Sequence, residues 1–128
     1  MKILLDTHVM LWWVNEYEKL SPTARAALLD PRHTLYLSVA SLWEIAIKTS
    51  LGKLSELDGG VRYLFHKVDV LPITVLPISM PYIEAVELLP FIHRDPFDRM
   101  IIATAKIDGL SILTTDENIH RYDVPSIW

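Results

Sequence analysis

His93-Arg94-Asp95-Pro96-Phe97-Asp98-Arg99-Met100-Ile101-Ile102-Ala103-Thr104-Ala105 is the stretch that decides the fold, because its two aspartates fall into different roles. Asp95 before Pro96 predicts a helix cap, with proline at the first helical position, where a missing N–H costs nothing. Asp98 is then the third helical residue, on one stripe with Ile101, Ile102 and Ala105. Such a stripe faces a sheet, so the carboxylate at its head projects toward the strand ends. A first-turn acid answering the helix dipole is the competing explanation, and it suits Asp95 better than Asp98.

Outward from this helix, predicted to span Pro96 to Ile107, the chain alternates short apolar runs with helical patterns. Strands are expected at Lys2 to Leu5, Leu35 to Leu37, Ile73 to Leu76 and Ser111 to Thr114. Helices are expected at Val9 to Val14, Thr23 to Leu29 after the Ser21-Pro22 start signal, Ser38 to Ser50, Val61 to Val68 and Met80 to Leu89. Strands alternating with helices imply an α/β fold whose central parallel sheet is covered on both faces. No repeat, linker or low-complexity tract divides residues 1–128, which predicts a single domain.

Of the 128 residues, 51% are hydrophobic and 22% charged, enough apolar material for a real core. There is no cysteine, which excludes disulfide and thiolate chemistry. The apolar runs are too short and too broken for a membrane span, and the N-terminus has no signal-peptide pattern, so a cytoplasmic protein is expected. The formal net charge of −4 argues against holding nucleic acid by bulk positive charge, but leaves room for a local basic rim.

In open α/β sheets ligands bind beyond the carboxyl ends of the strands. Asp6 and Asp116 both fall there, and Glu44 and Asp98 sit early in two helices. Each has a plainer reading. Asp6 could cap the helix that follows, Glu44 could close a capping box with Ser41 or pair with Lys48 one turn on, and Asp116 could be a cap or turn residue. Against the plain readings of Glu44, its stripe includes Ala40, Ile47 and Leu51, so a partly buried carboxylate is expected. Thr7, Thr114 and Thr115 could steady the aspartates by hydrogen bonds.

Converging carboxylates repel one another unless a cation neutralises them. Oxygen-only donors favour Mg²⁺ or Mn²⁺, and the five histidines show neither a HExxH helix nor a paired ligand spacing, so zinc is not expected. The chemistry natural to such a site is hydrolysis of a phosphodiester by in-line attack of water.

Leu5-Asp6-Thr7-His8, Ser41-Leu42-Trp43-Glu44-Ile45, the segment His93 to Ala103, and Leu113-Thr114-Thr115-Asp116 together resemble, in order and spacing, the PIN-domain nucleases. More narrowly they resemble the VapC toxins of bacterial and archaeal toxin–antitoxin pairs. The resemblance implies an α/β/α sandwich, Mg²⁺- or Mn²⁺-dependent endoribonuclease activity and inhibition by a cognate antitoxin. It places the four acids of the family on Asp6, Glu44, Asp98 and Asp116, and a hydroxyl on Thr114.

Among the basic residues, Arg99, Arg94 and Lys48 are the first choices for RNA phosphate contacts, with Lys53, Arg121, His93 and His120 nearby; ordinary solvated charge is the alternative for each. Trp12 and Trp13 point about 100° apart on a helix, so one small core can hardly bury both. A homodimer interface or an antitoxin groove would cover one, whereas Trp43 is expected in the core. Two other functions remain open. An aspartate-dependent phosphohydrolase would want a second Asp at position 8, which is His8; a non-catalytic interaction module would keep the fold without cleaving RNA.

Overall fold

The computed structural model describes residues 1–55 and 57–128. The chain begins with β1 (Lys2–Leu5), α1 (Thr7–Asn15), a 3₁₀ turn (Tyr17–Lys19), α2 (Pro22–Leu29) and β2 (Thr34–Ser38). Then come α3 (Val39–Ser50), α4 (Gly60–Val70), β3 (Ile73–Leu76), α5 (Met80–Leu88), α6 (Pro96–Asp108), β4 (Ser111–Leu113), α7 (Glu117–His120) and β5 (Ser126–Ile127). The five strands form one wholly parallel sheet in the order β3-β2-β1-β4-β5. The strands and long helices fall where the apolar patterns predict, within a residue or two at their ends. The 3₁₀ turn, α7 and β5 carry too few residues for a periodic signal.

Alternation along the strands sorts the core into two layers. Ile3, Leu5, Leu35, Leu37 and Leu113 face one side, packing with Val9, Met10, Ala24, Leu28, Leu42, Ile45 and Leu64 from α1 to α4. Leu4 and Ile112 face the other, against Ile101, Ile102 and Ala105 of α6 and Ile119 of α7. Ile3, Leu4 and Leu5 are all fully buried, as expected for a central parallel strand covered on both faces. The result is an α/β/α sandwich.

Two local devices aim α6 at the site. Asp95 caps it, its Oδ1 accepting from the amides of Phe97 at 2.9 Å and Asp98 at 3.1 Å. At the other end Gly109 adopts φ 66°, the left-handed turn that a side chain resists, and the chain reverses directly into β4. Because Asn caps as well as Asp, Asp95→Asn should leave the melting temperature near its wild-type value in a thermal melt. A marked fall would show that Asp95 does more than cap the helix.

The strand order places a switch point at β1, since the chain leaves β1 toward β2 on one side and later returns to β4 on the other. The crevice at the carboxyl ends of β1 and β4 is the position from which such sheets bind ligands.

Candidate metal centre

Asp6 is the residue immediately after β1 and is both cap and site residue. Its Oδ1 accepts from the Thr7 amide at 2.7 Å, and its Oδ2 from the Thr114 hydroxyl at 2.7 Å. Burial raises its pKa against the lowering effect of the Thr114 hydrogen bond, the His8 charge and the Thr7 amide, while the Asp116 charge raises it further. Thr114 is fully buried just beyond β4, and its oxygen also accepts from the Asp116 amide at 3.0 Å. One hydroxyl therefore ties the first acid to the backbone of the fourth. The cap expected of Asp116 is present too, with Oδ1 accepting from Asn118 N at 2.9 Å. Thr7 turns its hydroxyl to Ser41 Oγ at 2.9 Å, joining α1 to α3, so Ser41 is engaged there and α3 is capped instead by Ser38. Thr115 is exposed beside Asp6, His8, Trp12 and Asp116 on the wall of an open pocket.

Glu44 satisfies two of the readings at once. It is 2% exposed, and its Oε2 accepts from Lys48 Nζ at 2.7 Å. Its Oε1 is buried without a hydrogen-bond partner. Leu51, expected on the same buried stripe, is exposed. Burial works against the Lys48 ammonium, but the Glu44 hydrogen bond and the charges of Glu44, Asp95 and Asp98 outweigh it and hold its pKa above the ordinary value.

Asp98 lies where these charges meet. Burial first, then the charges of Asp95, Asp6, Asp116 and Glu44, push its pKa up to about 8. The other three expected acids therefore act, together with Asp95, on one carboxyl group. His93 Nε2 stands 3.2 Å from Asp98 Oδ2, and His93 Nδ1 is 2.8 Å from the Tyr122 hydroxyl. Tyr122 had no signal in the sequence, since 29 residues separate it from His93.

The raised pKa of Asp98 makes stability depend on pH. Its folded value lies above the unfolded 3.8, so native metal-free protein retains an extra proton between about pH 4 and 8. The stability tied to Asp98 is fully present below about pH 4 and is lost as pH rises from there through about 8. A cation binding below that pH must displace the proton. Mn²⁺ affinity should therefore climb about tenfold per pH unit and level off above pH 8, as checked by titrating metal-free protein at a series of pH values. A flat profile between pH 6 and 8 would contradict it.

Two expectations about the surroundings, Arg99 and Trp43, are overturned. Arg99 does not reach solvent for a phosphate contact: it is 5% exposed, and its guanidinium donates to the carbonyls of Pro90 at 2.9 Å, Val86 at 3.2 Å and Leu89 at 3.4 Å and to Tyr122 OH at 3.0 Å. The buried residues three and four further along the helix, Ile102 and Ala103, were the available signal. His120 holds Ser126 Oγ at 2.7 Å, whereas Arg94 is exposed at the mouth of the segment that carries Asp98. Trp43 is not core: it is 59% exposed, edge-on to Phe97, on an apolar groove with Ala40, Ile78, Val86, Pro96 and Met100. Trp12 and Trp13 are half-buried against the core, with Trp12 packed on Trp128.

The donor set suits a hard divalent cation. It is all oxygen, it carries mutual repulsion, and it includes one buried carboxylate oxygen with no partner. Among the described residues no three His, Asp or Glu groups already close on one point. Lys48 engages Glu44, His93 contacts Asp98, and backbone amides hold Asp6 and Asp116.

The PIN domain sequence profile matches residues 3–125. The chain is 32% identical to Ribonuclease VapC22 of Mycobacterium tuberculosis, with 98% of each chain covered. Its fold is similar to that in the DNA-bound VapBC2 structure from Rickettsia felis, with TM-score 0.72, 14% identity, and coverage of 99% of this chain and 98% of that one. A DNA-bound VapBC structure from Salmonella typhimurium is similar with TM-score 0.70, 16% identity, and coverage of 99% and 97%.

Proposed function

Because this chain belongs to the PIN-domain family, and within it to the VapC-type ribonucleases, we propose that it is a Mg²⁺- or Mn²⁺-dependent endoribonuclease toxin held in check by a cognate antitoxin. The observation that carries the metal reading is the unpartnered, buried Oε1 of Glu44 among carboxylates that drive the pKa of Asp98 to about 8. An unpaired buried acceptor is costly unless something neutralises it.

Asp6, Glu44, Asp98 and Asp116 would hold the ion. Mg²⁺ or Mn²⁺ bound there supplies the Lewis-acid stabilisation that in-line phosphodiester hydrolysis needs. Asp6 is held by Thr114 and the Thr7 amide, so it meets the ion with its orientation already set. Glu44 would offer the ion its unpartnered Oε1 while Oε2 keeps Lys48, whose ammonium would then stand beside the site as a phosphate contact. Arg94, exposed in the segment that carries Asp98, is a second candidate for the RNA backbone. The Lys48–Glu44 pair supports a route to inhibition. A basic side chain entering the pocket occupies the charge position of the metal, so an antitoxin segment bearing Lys or Arg across the site blocks it. The apolar groove at Trp43 and the half-buried Trp12 face suit a protein partner, and a homodimer is the expected form.

The reading is tested by incubating antitoxin-free protein with total RNA and Mg²⁺ or Mn²⁺ and mapping the new ends. Discrete cuts are expected. An absence of cuts under every metal condition would leave a non-catalytic interaction module. Light scattering that shows a monomer at micromolar concentration would remove the dimer.

A further inference from the structure

We propose that Arg99 and Tyr122 fix the tautomer of His93 so that its Nε2–H is aimed at Asp98, making the three a positioning relay for that acid. The inference deepens the metal-site reading above and rests on it for its consequence, though its geometry stands alone.

Tyr122 is 3% exposed, and its oxygen offers one hydrogen and accepts two. Arg99 Nη1 lies 3.0 Å away and can only donate. The backbone N–H of His93 also donates to this oxygen, at 3.3 Å. With both acceptor positions taken, the hydroxyl hydrogen goes to the remaining neighbour, His93 Nδ1 at 2.8 Å. Nδ1 is thus an acceptor, and the neutral ring carries its hydrogen on Nε2. That atom faces Asp98 Oδ2 at 3.2 Å, so the carboxylate receives a donor on one oxygen and keeps the other for a cation. The rings of His93 and Tyr122 meet edge to face with centroids 5.4 Å apart, which holds the imidazole plane.

Arg99 is well placed to start the relay because it is immobile. Its remaining donors hold the last carbonyls of α5 and the chain just after it, and it lies over the Phe91 ring at 4.6 Å. It also follows Asp98 directly in α6, so helix, acid and relay move together. Were the tautomer reversed, a lone pair on Nε2 would face the carboxylate and push Asp98 out of position.

The test uses the full metal-free chain and two readouts. Two-bond ¹H–¹⁵N NMR of the neutral imidazole should show His93 as the Nε2–H tautomer. Tyr122→Phe keeps the ring volume and should shift the population toward Nδ1–H. In Mn²⁺ titrations the same variant should lose about 10–100-fold in affinity, the usual effect of removing a partner behind a metal ligand. His93→Leu should lose as much, and His93→Gln, whose amide can donate at the Nε2 position, should recover most of it. A wild-type Nδ1–H tautomer would overturn the relay, as would a Tyr122→Phe protein unchanged in tautomer and Mn²⁺ affinity. If wild type binds no Mn²⁺, the metal reading falls, and the tautomer measurement alone then decides the relay.

Discussion

Asp98→Asn is expected to cut RNA about 10²–10³-fold more slowly than wild type, the scale on which removing one group aimed at transition-state charge is felt. The substitution keeps side-chain volume, and the Asn carbonyl can still accept from His93 Nε2, so the fold is retained. What disappears is one negative charge at the point where the fields of Asp95, Asp6, Asp116 and Glu44 converge. Stability should move the other way, and only in a defined window. Between about pH 4 and 8 the native metal-free carboxyl keeps a proton that the unfolded chain has lost, so wild-type stability falls across that range while the Asn variant's does not. The variant's advantage should therefore be absent near pH 4 and complete above pH 8, at about 0.5–2 kcal/mol, as when strain at a functional site is relieved. Thermal melts of metal-free protein at two pH values, beside initial cleavage rates, measure both. Normal cleavage by Asp98→Asn would remove this residue from the site.

Arg99→Met should instead strike the scaffold. A surface phosphate contact would be lost with no effect on melting. The buried guanidinium, by contrast, leaves behind the carbonyls of Val86, Leu89 and Pro90 at the end of α5 and one lone pair of Tyr122. Each buried group stripped of its partner costs about 1–3 kcal/mol, and methionine recovers only some of the packing. A net loss of about 2–4 kcal/mol, or roughly 10 °C in melting temperature, is expected. Denaturant unfolding gives the free energy, and a variant as stable as wild type would show that these hydrogen bonds contribute nothing net.

That contrast shows where sequence and structure part company. The sheet was legible because strands buried on both faces read as unbroken apolar runs, as Ile3-Leu4-Leu5 does. The helix starts were legible because Ser21-Pro22 and Asp95-Pro96 each combine a cap with a residue that cannot continue a strand. The acids were legible because strand ends and helix starts are places the pattern can locate. What the pattern cannot carry is the identity of a neighbour from a distant segment. Asp6 to Thr114 spans 108 residues and His93 to Tyr122 spans 29. Residue type misled twice for the same reason. Arginine is ordinarily exposed and tryptophan ordinarily covered, but here Arg99 ends up under the α5–α6 turn and Trp43 on an open groove.

The central claim is that these carboxylates cut RNA only with a hard divalent cation between them. It is tested most directly on purified, antitoxin-free protein assayed on total RNA before chelation, in excess EDTA, and after exchange into Mn²⁺. Cleavage should stop in EDTA and return at the same positions with Mn²⁺. Undiminished cleavage in excess EDTA would contradict the account.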